Sequence, residues 1–298
     1  MRPSPLAALL SLALLPAACR AQEPGLEPLI LAGAARAGHR IDCQGGWLLE
    51  GRPVEVRIQS LPRPDGSWGR PDGVRISHCR LRGAIRVIGL GRNGEAEGVR
   101  LSSRQPGHSP RAQAAAPHGV VLEGLELEAV GPIPVYAGPG TVGLQLRNSR
   151  LTGESRSVAV YLDAESRDNL ISGNRFELST ARERIAVDGS ASNRIDGNRF
   201  SDNGRGGIFL YRNCGEGGTV RHQPPVGNLI SGNHFSGSDG PPAVWLGSRN
   251  GRRPYCGQDA GLPFGSSSDD GDQAEHNRVE GNGGARVQND GSNNTVRP

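Results

Sequence analysis

The strongest constraint on the fold is a six-residue motif, Asn-x-Ile/Val-x-Gly-Asn, which occurs four times without a gap. Apolar and polar residues alternate within it, and a period of two is typical of a β-strand. The asparagines and glycine at fixed offsets predict left-handed backbone at tight turns. Three copies continue to a phenylalanine two residues later. The copies are residues 169–174, 193–198, 228–233 and 277–282, and the phenylalanines are Phe176, Phe200 and Phe235.

The spacing of the copies predicts a stack of coils. The shortest interval, from Asn169 to Asn193, is 24 residues and suits one coil of about three short strands. The longer intervals of 35 and 49 residues predict loops that bulge from single coils and leave the stack intact. Helical periodicity is nearly absent, except that residues 29–37 are expected to form a short capping helix over the open end of the strands. The sequence therefore predicts one all-β domain at residues 41–298, preceded by a short cap at residues 22–40, with long loops on one edge.

The motif with its phenylalanine also resembles the repeats of the pectate-lyase-like superfamily. The segment Ile-Asp-Cys-Gln-Gly at residues 41–45 looks like the opening coil of such proteins. The resemblance covers residues 40–298 and implies a right-handed parallel β-helix. The superfamily includes polysaccharide lyases, glycoside hydrolases, uronate epimerases, phage tailspikes and periplasmic accessory proteins, so it leaves the activity open.

The first 21 residues are interpreted as an export signal. Arg2 supplies a positive start, and residues 6–15 form an apolar run too short to span a bilayer. Cys19 follows two alanines and resembles a bacterial lipoprotein processing site, with cleavage after Ala21 as the alternative. The sequence thus predicts a periplasmic, outer-membrane lipoprotein or secreted protein, whose contact with a membrane would be a lipid anchor at Cys19.

Four cysteines remain after Cys19, and an even count in an exported chain predicts disulfides. The predicted pairs are Cys43 with Cys79, in similarly patterned strand ends, and Cys214 with Cys256, in two neighbouring insertions. Buried free thiols are the alternative. No Cys-x-x-Cys spacing is present, so a zinc site is not expected.

The charge balance bears on the partner. A net charge of +4 mildly favours an anionic partner. The basic residues are too mixed with acids to predict nucleic-acid binding. Together with the resemblance to the pectate-lyase-like superfamily, this makes a polysaccharide or other glycan outside the cytoplasm the expected partner.

The strand before each motif predicts the functional face. Residues 160–163, 185–188, 208–211 and 244–247 can be aligned by their distance to the next asparagine. The first and third members are aliphatic and should face inward, so the second and fourth should face outward. The outward set is unusually rich in aromatics, and insertions at residues 212–227 and 247–276 are expected to form the walls of a groove beside it. The expected substrate-binding residues are Tyr161, Phe209, Tyr211, Trp245, Glu165, Arg167, Glu216 and Arg249.

Asp163 and Asp188 are the predicted catalytic pair. They lie on adjacent coils, where like charges should separate their pKa values, as acid/base cleavage of a glycosidic bond requires. A turn role is the alternative for the aspartates, and packing beneath the loops is the alternative for the aromatics. The sequence therefore predicts a protein that acts on an acidic polysaccharide in this groove, by hydrolysis or by β-elimination.

Two alternatives to a hydrolase stay open. A lyase would use Arg212 or His222 as its base and calcium as its cofactor, held by Asp269, Asp270 and Asp272, which also read as a plain acidic loop. No other metal or cofactor is expected. A non-catalytic envelope protein that binds a glycan or serves as a scaffold along the aromatic residues is the alternative to both enzymes.

Overall fold

The computed structural model describes residues 26–91, 96–202, 204–213, 219–237, 240–247 and 274–298. This part of the chain is wound into a β-helix of three parallel sheets, here called A, B and C. A regular coil passes through sheet B, then sheet C, then sheet A before the next coil begins. The all-β stack predicted from the motif spacing is confirmed.

Each sheet gathers one strand from almost every coil. Sheet A contains Glu27–Ala32, Val54–Gln59, the end of Arg80–Ile88, Val135–Ala137, Val160–Leu162, Ile185–Asp188, Ile208–Tyr211, Val244–Leu246 and Val287–Asn289. Sheet B contains Arg40–Asp42, Arg75–Ser77, Val121–Glu123, Gln145–Arg147, Leu170–Ser172, Arg194–Asp196, Leu229–Ser231, Arg278–Glu280 and Thr295–Val296. Sheet C contains the start of Arg80–Ile88, then Glu126–Gly131, Arg150–Ser155, Arg175–Phe176, Ser179–Thr180, Arg199–Phe200 and His234–Phe235. The remaining elements are an antiparallel pair, Leu61–Pro62 with Trp68–Gly69, and 3-10 turns at Ala34–Arg36 and Leu48–Gly51.

The register agrees with the alignment made on the sequence. Val160, Ile185, Ile208 and Val244 are successive partners in sheet A, and all four are fully buried. In sheet C the phenylalanines of the motif stack inside the helix, with ring centroids 4.7 Å and 4.6 Å apart. The core is therefore a set of ladders in which equivalent residues of neighbouring coils touch.

The asparagines of the motif have a role that differs from the expected one. Left-handed backbone belongs to the residue before each asparagine, such as Asp168 and Gly173, and not to Asn169 or Asn174. The asparagine side chains form two ladders through the coils and are buried, except at the last coils, where Asn282 and Asn294 are partly buried. After the first asparagine of each ladder, every Oδ1 accepts hydrogen bonds from the backbone and side-chain amides of the asparagine one coil earlier. One ladder contains Asn169, Asn193, Asn228, Asn277 and Asn294, and the other contains Asn174, Asn198, Asn233 and Asn282.

At the start of the stack, one prediction from the sequence is confirmed and another is wrong. Cys43 and Cys79 are bonded, with their Cα atoms 4.7 Å apart. The expected helix over residues 29–37 is wrong. Glu27–Ala32 is a strand paired in parallel with Val54–Gln59, and only a single 3-10 turn follows it. Alternating burial, with Leu31 inside, explains why this segment joins the sheet.

Two short helices, α1 at Glu97–Ser103 and α2 at His108–Ala115, lie between sheet A and sheet B on the N-terminal coils. We call the N-terminal coils the upper coils and the C-terminal coils the lower coils. The second helix forms although it contains a proline, because Pro110 lies in the first turn of α2, where proline is tolerated, and three alanines follow it within the helix. The described part of the insertion at residues 212–227 leaves the stack from the same edge, after sheet A. Among the described residues, no helix has the length and apolar character needed to cross a membrane.

Candidate functional site

The outer face of sheet A carries most of the aromatic residues predicted to bind a ligand. Tyr161, Ala186, Phe209 and Trp245 are register partners on consecutive coils. Because their strand neighbours are buried in the core, alternation directs these four side chains outward. The predicted register is therefore confirmed.

The same row extends one coil in each direction. Tyr136 is the partner of Tyr161 on the upstream coil, and Gln288 is the partner of Trp245 on the downstream coil. Tyr136 was not among the predicted residues, although Val135-Tyr136-Ala137 has the same alternation as the aligned strands. We call Tyr136, Tyr161, Phe209 and Trp245 the aromatic face.

The rings of the aromatic face meet in pairs. Phe209 and Trp245 pack edge to face, with centroids 5.4 Å apart, and the Tyr136 and Tyr161 rings are 5.9 Å apart. Tyr161, Phe209 and Trp245 remain partly exposed. Asp290 lies at the lower end, where its Oδ2 accepts hydrogen bonds from Trp245 Nε1 at 2.7 Å and Gln288 Nε2 at 2.6 Å. The face thus combines apolar ring surface with an exposed carboxylate and amide.

The residues in the fourth position of the aligned strands are buried, and the prediction that they line an open groove is wrong for the described residues. Asp163 is 2% exposed, and Asp188 and Tyr211 are 0% exposed. Two insertions explain the burial: the α1–α2 segment and residues 219–225 lie over this edge of sheet A. Val220 N donates to Ser103 Oγ at 2.9 Å, which joins the two insertions to each other.

Arg221, from the second insertion, occupies the space between the two aspartates. Its guanidinium lies 3.1 Å from Asp163 Oδ1 and 2.5 Å from Asp188 Oδ2, and its side chain is 5% exposed. Tyr136 donates its hydroxyl to Asp163 at 2.5 Å, and Tyr161 donates its hydroxyl to Asp188. We call these five residues the Asp–Arg cluster. Arg221 comes from an insertion without repeat pattern, so nothing in the sequence marked it.

Further donors complete the cluster. Asn213 contributes its backbone N–H at 2.7 Å and its side-chain amide at 2.9 Å to Asp188. Ala164 N donates to Asp163 Oδ1 at 2.8 Å. Both carboxylates are therefore saturated with donors from the protein itself.

The charges of the cluster are coupled. Burial raises the pKa of Asp163; Arg221 opposes this shift, and Asp188 adds to it. Although burial disfavours its charge, the carboxylates of Asp188 and Asp163 raise the pKa of the Arg221 guanidinium well above its usual value. The expectation that one aspartate has a raised pKa agrees with this direction, but desolvation is the leading cause. The role of the pair in acid/base catalysis stays a prediction.

Glu165, predicted to bind substrate, instead anchors both insertions. It is 0% exposed, and it accepts hydrogen bonds from Ser109 Oγ of α2 and from His222 N at 2.8 Å. Gln113 of α2 donates to its backbone carbonyl at 2.9 Å. A buried carboxylate needs such donors, because an unpaired one is costly to desolvate.

The other predicted residues of this edge are dispersed. Arg212 is 1% exposed and donates to the His222 carbonyl at 2.9 Å. The His222 ring is partly buried, with Nε2 2.7 Å from the carbonyl of Ser103. Tyr211 donates its hydroxyl to Glu183 at 2.6 Å. Among the described residues of this group, only Arg167 is exposed, and it pairs with Asp168 at 2.8 Å.

His108 of α2 is a buried titratable residue of the covering layer. Its ring lies 5.3 Å from the ring of His222 and is 2% exposed. Burial lowers the pKa of His108 to about 4; Glu165 opposes this shift, whereas His222 and Arg111 add to it. A lowered histidine pKa means that the folded state binds fewer protons than the unfolded state between pH about 4 and about 6.5.

We therefore expect stability to fall as the pH drops through this window, by about 2 to 3 kcal/mol from His108 alone. The His108→Gln variant keeps a polar side chain near Ser102 but does not titrate. Urea unfolding at neutral pH and at pH about 4.5 should show a smaller loss for the variant than for the wild type. His234→Gln, at an exposed position, is the control and should behave as wild type. Equal losses in all three proteins would contradict the assignment to His108.

Several predicted residues lie outside the described part of the chain. These are Cys19, Cys214, Cys256, Glu216, Arg249, Asp269, Asp270 and Asp272. The second disulfide, the calcium site and the lipid anchor therefore stay predictions. Among the described residues, no three His, Cys, Asp or Glu side chains are grouped so that they could hold a metal ion.

Comparison with protein families gives one match. Residues 118–298 match the family model described as the right handed beta helix region. The match begins just before sheet B strand Val121–Glu123 and extends through the last coil. No curated protein and no solved structure matches the chain.

Proposed function

The chain belongs to the right-handed β-helix family, and from that premise we propose that it is a non-catalytic module that binds a polysaccharide along its aromatic face. The observation that carries this proposal is the row of partly exposed rings, Tyr161, Phe209 and Trp245, on neighbouring coils. Exposed apolar patches of this kind mark binding surfaces. Coils stack about 4.8 Å apart, so the row presents repeated ring surface along the direction in which an extended polymer would lie.

The chemistry of the face fits a sugar. Flat apolar ring surfaces pack against the apolar faces of pyranose rings, and Asp290 and Gln288 at the lower end can bond hydroxyl groups. Such a site needs a few convergent polar groups for specificity, and these two residues are exposed. The face therefore supports recognition of a glycan.

Binding is favoured over turnover because the proposed acid and base are already occupied. Asp163 and Asp188 share the Arg221 guanidinium and are sealed from solvent by described residues. An acid or base must come within hydrogen-bond reach of the atom that it serves. The buried pair has its hydrogen-bonding capacity filled by the protein.

We place the protein outside the cytoplasm as part of the same proposal. The Cys43–Cys79 disulfide supports this placement, because such bonds persist in oxidising compartments. The apolar run at residues 6–15 supports it as well. Mass spectrometry of the protein expressed in a bacterial host would show whether the mature chain begins at Cys19 or after Ala21.

Removal of the Trp245 ring tests the binding proposal. We expect the Trp245→Ala substitution to lower the affinity for the polysaccharide that the wild-type protein prefers by about tenfold or more, because large aromatic side chains dominate binding surfaces. Calorimetry against a panel of neutral and acidic polysaccharides first identifies that ligand. The matched control is Trp47→Ala, an exposed tryptophan at the far end of the stack, 41% exposed and covered by Arg80.

Two results would contradict the proposal. The first is equal binding by the Trp245→Ala and Trp47→Ala variants to every ligand of the panel. The second is turnover: new reducing ends, with or without the ultraviolet absorbance of unsaturated uronates, would establish an enzyme instead.

A further inference from the structure

A cleft lies at the corner where sheet C ends and sheet A begins, on the lower coils. It has a volume of about 120 Å³, and its walls include Phe200, Ser201 and Phe235 from the sheet C side and Gly207 from the sheet A side. Gly207 has no room for a side chain, since a Cβ there would lie 2.3 Å from the Ala243 carbonyl oxygen. The cleft shares neither a wall residue nor a sheet face with the aromatic face.

Arg184 is the buried charge of this cleft. It lines the cleft and is 1% exposed. Its guanidinium donates to Thr180 Oγ1 at 3.2 Å and to the carbonyl and hydroxyl oxygens of Ser201 at 3.0 Å and 3.3 Å. Its Nε is buried without a hydrogen-bond partner, and it forms no ion pair with any described residue.

A buried cation with only neutral acceptors is costly. Burial lowers the pKa of Arg184 to about 10, and the more distant Asp202 carboxylate opposes this shift. Buried charges in proteins are normally paired, because desolvation is otherwise uncompensated. An anion in the cleft would pair with this guanidinium, which has only neutral acceptors among the described residues.

Three basic residues on the outer face of sheet C lead to the cleft. Arg175, Arg199 and His234 are register partners on consecutive coils, all exposed. Arg199 immediately precedes Phe200 and Ser201, and His234 immediately precedes Phe235, so the row ends beside the cleft walls. We call Arg175, Arg199 and His234 the basic row.

The basic row differs from the arginines elsewhere on the sheets. On sheet B, Glu123 bridges Arg75 and Arg147, at 2.8 Å and 3.1 Å. On the upper coils of sheet C, Arg80 pairs with Glu126 and Arg82 pairs with Glu128. Arg175 and Arg199 form no ion pair with any described residue. Like charges directly opposite each other destabilise a sheet unless an external anion neutralises them.

We propose that the cleft and the basic row together form a binding site for an acidic glycan. One oxyanion of the glycan, a carboxylate or a sulfate, lodges beside Arg184, and neighbouring units contact Arg199 and Arg175. Arginine suits this role because its planar fork bonds an oxyanion through two parallel N–H groups. The coil spacing of about 4.8 Å is on the scale of one sugar unit, so consecutive units can meet consecutive coils.

Two further charges at the cleft set its selectivity. Arg286 lies in the wall and is exposed, and its guanidinium donates to the Gly240 carbonyl. Asp202 also lines the cleft and accepts a hydrogen bond from Gly204 N at 2.8 Å. Asp202 repels an anion, so it weakens binding and provides a position where affinity can be raised. This site does not depend on the proposed function, because it lies on another sheet.

Calorimetry at low and high salt tests the site, with oligogalacturonate, dextran sulfate oligomer and neutral dextran oligomer as probes. We expect at least one acidic probe to bind and the neutral probe not to bind. The Arg175→Gln/Arg199→Gln variant should bind that acidic probe about tenfold more weakly and with a smaller salt dependence. The matched control is Arg194→Gln/Arg278→Gln, which removes the same charge from sheet B positions that are 61% and 53% exposed. Equal affinities for the two double variants would overturn the proposal.

Two single variants probe the cleft itself. Asp202→Asn keeps an oxygen for Gly204 N and should tighten binding about threefold by removing a repulsive charge. Arg184→Met should remove the contribution of the cleft to the affinity for the acidic probe. Because this variant loses a buried side chain, Asp202→Asn alone tests the cleft if Arg184→Met does not fold. No change in Asp202→Asn would overturn the assignment of the cleft. Binding of inorganic sulfate with no binding of either acidic oligomer would overturn the glycan as the ligand.

The Trp245→Ala variant separates this inference from the proposed function. Acidic probes should bind it as they bind wild type, since the aromatic face is on sheet A. If Trp245→Ala lost binding of the acidic probe and Arg175→Gln/Arg199→Gln kept it, the basic row would be excluded as the binding site. The proposal for the aromatic face would be unaffected.

Discussion

Replacing Arg221 with methionine is expected to lower the free energy of unfolding by about 3 to 5 kcal/mol at neutral pH. The substitution leaves Asp163 and Asp188 buried, at 2% and 0% exposure, without the cation that lies 3.1 Å and 2.5 Å from them. Removing one partner of a buried ion pair costs more than the pair contributed, because the remaining charges stay desolvated. Urea unfolding followed by circular dichroism measures the change.

Replacing the two aspartates with neutral asparagines should reverse the loss of stability, which makes this prediction specific. Adding Asp163→Asn and Asp188→Asn to Arg221→Met removes all three charges, and we expect it to recover most of the lost stability. Arg194→Met is the control for loss of an arginine at a 61% exposed position and should change stability by less than about 0.5 kcal/mol. A change of similar size in Arg221→Met and Arg194→Met would show that the cluster does not stabilise the fold. It would also restore the open-groove interpretation of the aspartates.

Asn198→Ala is expected to cost about 3 to 5 kcal/mol, because one side chain serves four partners. Its Oδ1 accepts from the backbone N and side-chain Nδ2 of Asn174, both at 2.9 Å. Its Nδ2 donates to the Ile171 carbonyl at 2.8 Å and to Asn233 Oδ1 at 2.9 Å. Alanine leaves these groups buried between coils with no solvent to replace the bonds, and each lost hydrogen bond costs about 1 kcal/mol.

The end of the other ladder supplies the matched control. Asn294 makes the same contacts with Asn277, at 2.9 Å and 3.0 Å, but is only partly buried and ends its ladder. Water can replace its hydrogen bonds, so Asn294→Ala should cost about 1 kcal/mol. Asn198→Asp should be nearly as damaging as Asn198→Ala, since it keeps the acceptor, loses both donors and introduces a buried charge. Equal costs for Asn198→Ala and Asn294→Ala would contradict the ladder as the cause.

The Asp–Arg cluster also bears on how the fold could host a function. On the outer side of sheet A, Asp163, Asp188 and Glu165 attach two insertions to the stack. The cluster fixes residues 219–225, and Glu165 fixes α2 beside them. Among the described residues, Tyr161, Phe209 and Trp245 of the aromatic face stay partly exposed, and the basic row on sheet C is exposed. These two surfaces carry the two binding proposals.

Much of the architecture could be predicted from the sequence. The recurrence of Asn-x-Ile/Val-x-Gly-Asn gave the coils, and the alternation of strand residues 160–163 gave the register of sheet A, including which side chains leave the core. These features are local and periodic. A parallel stack repeats one geometry, so each coil constrains the next. The pairing of Cys43 with Cys79 followed from the same repetition.

The role of the motif asparagines was not predictable in the same way. Asparagines that form turns and asparagines that form a buried ladder recur at the same spacing, so the sequence pattern does not distinguish the two roles. The left-handed residue is the one before, such as Asp168 or Gly173, and this assignment is visible only in the backbone angles. The hydrogen bonds that decide the matter join residues 17 to 49 positions apart.

Tertiary structure alone decided which outward residues meet water. Alternation states on which side of the sheet a side chain lies, and it says nothing of what covers that side. Tyr161 and Asp163 both point away from the core, yet Asp163 is buried because Arg221, 58 residues later, lies against it. The insertions that supply Arg221 and α2 have no repeat, so their path is set by long-range ion pairs and hydrogen bonds. The sequence thus determined the stack, its register and its direction of side chains, and the packing of the irregular segments determined where a ligand can reach it.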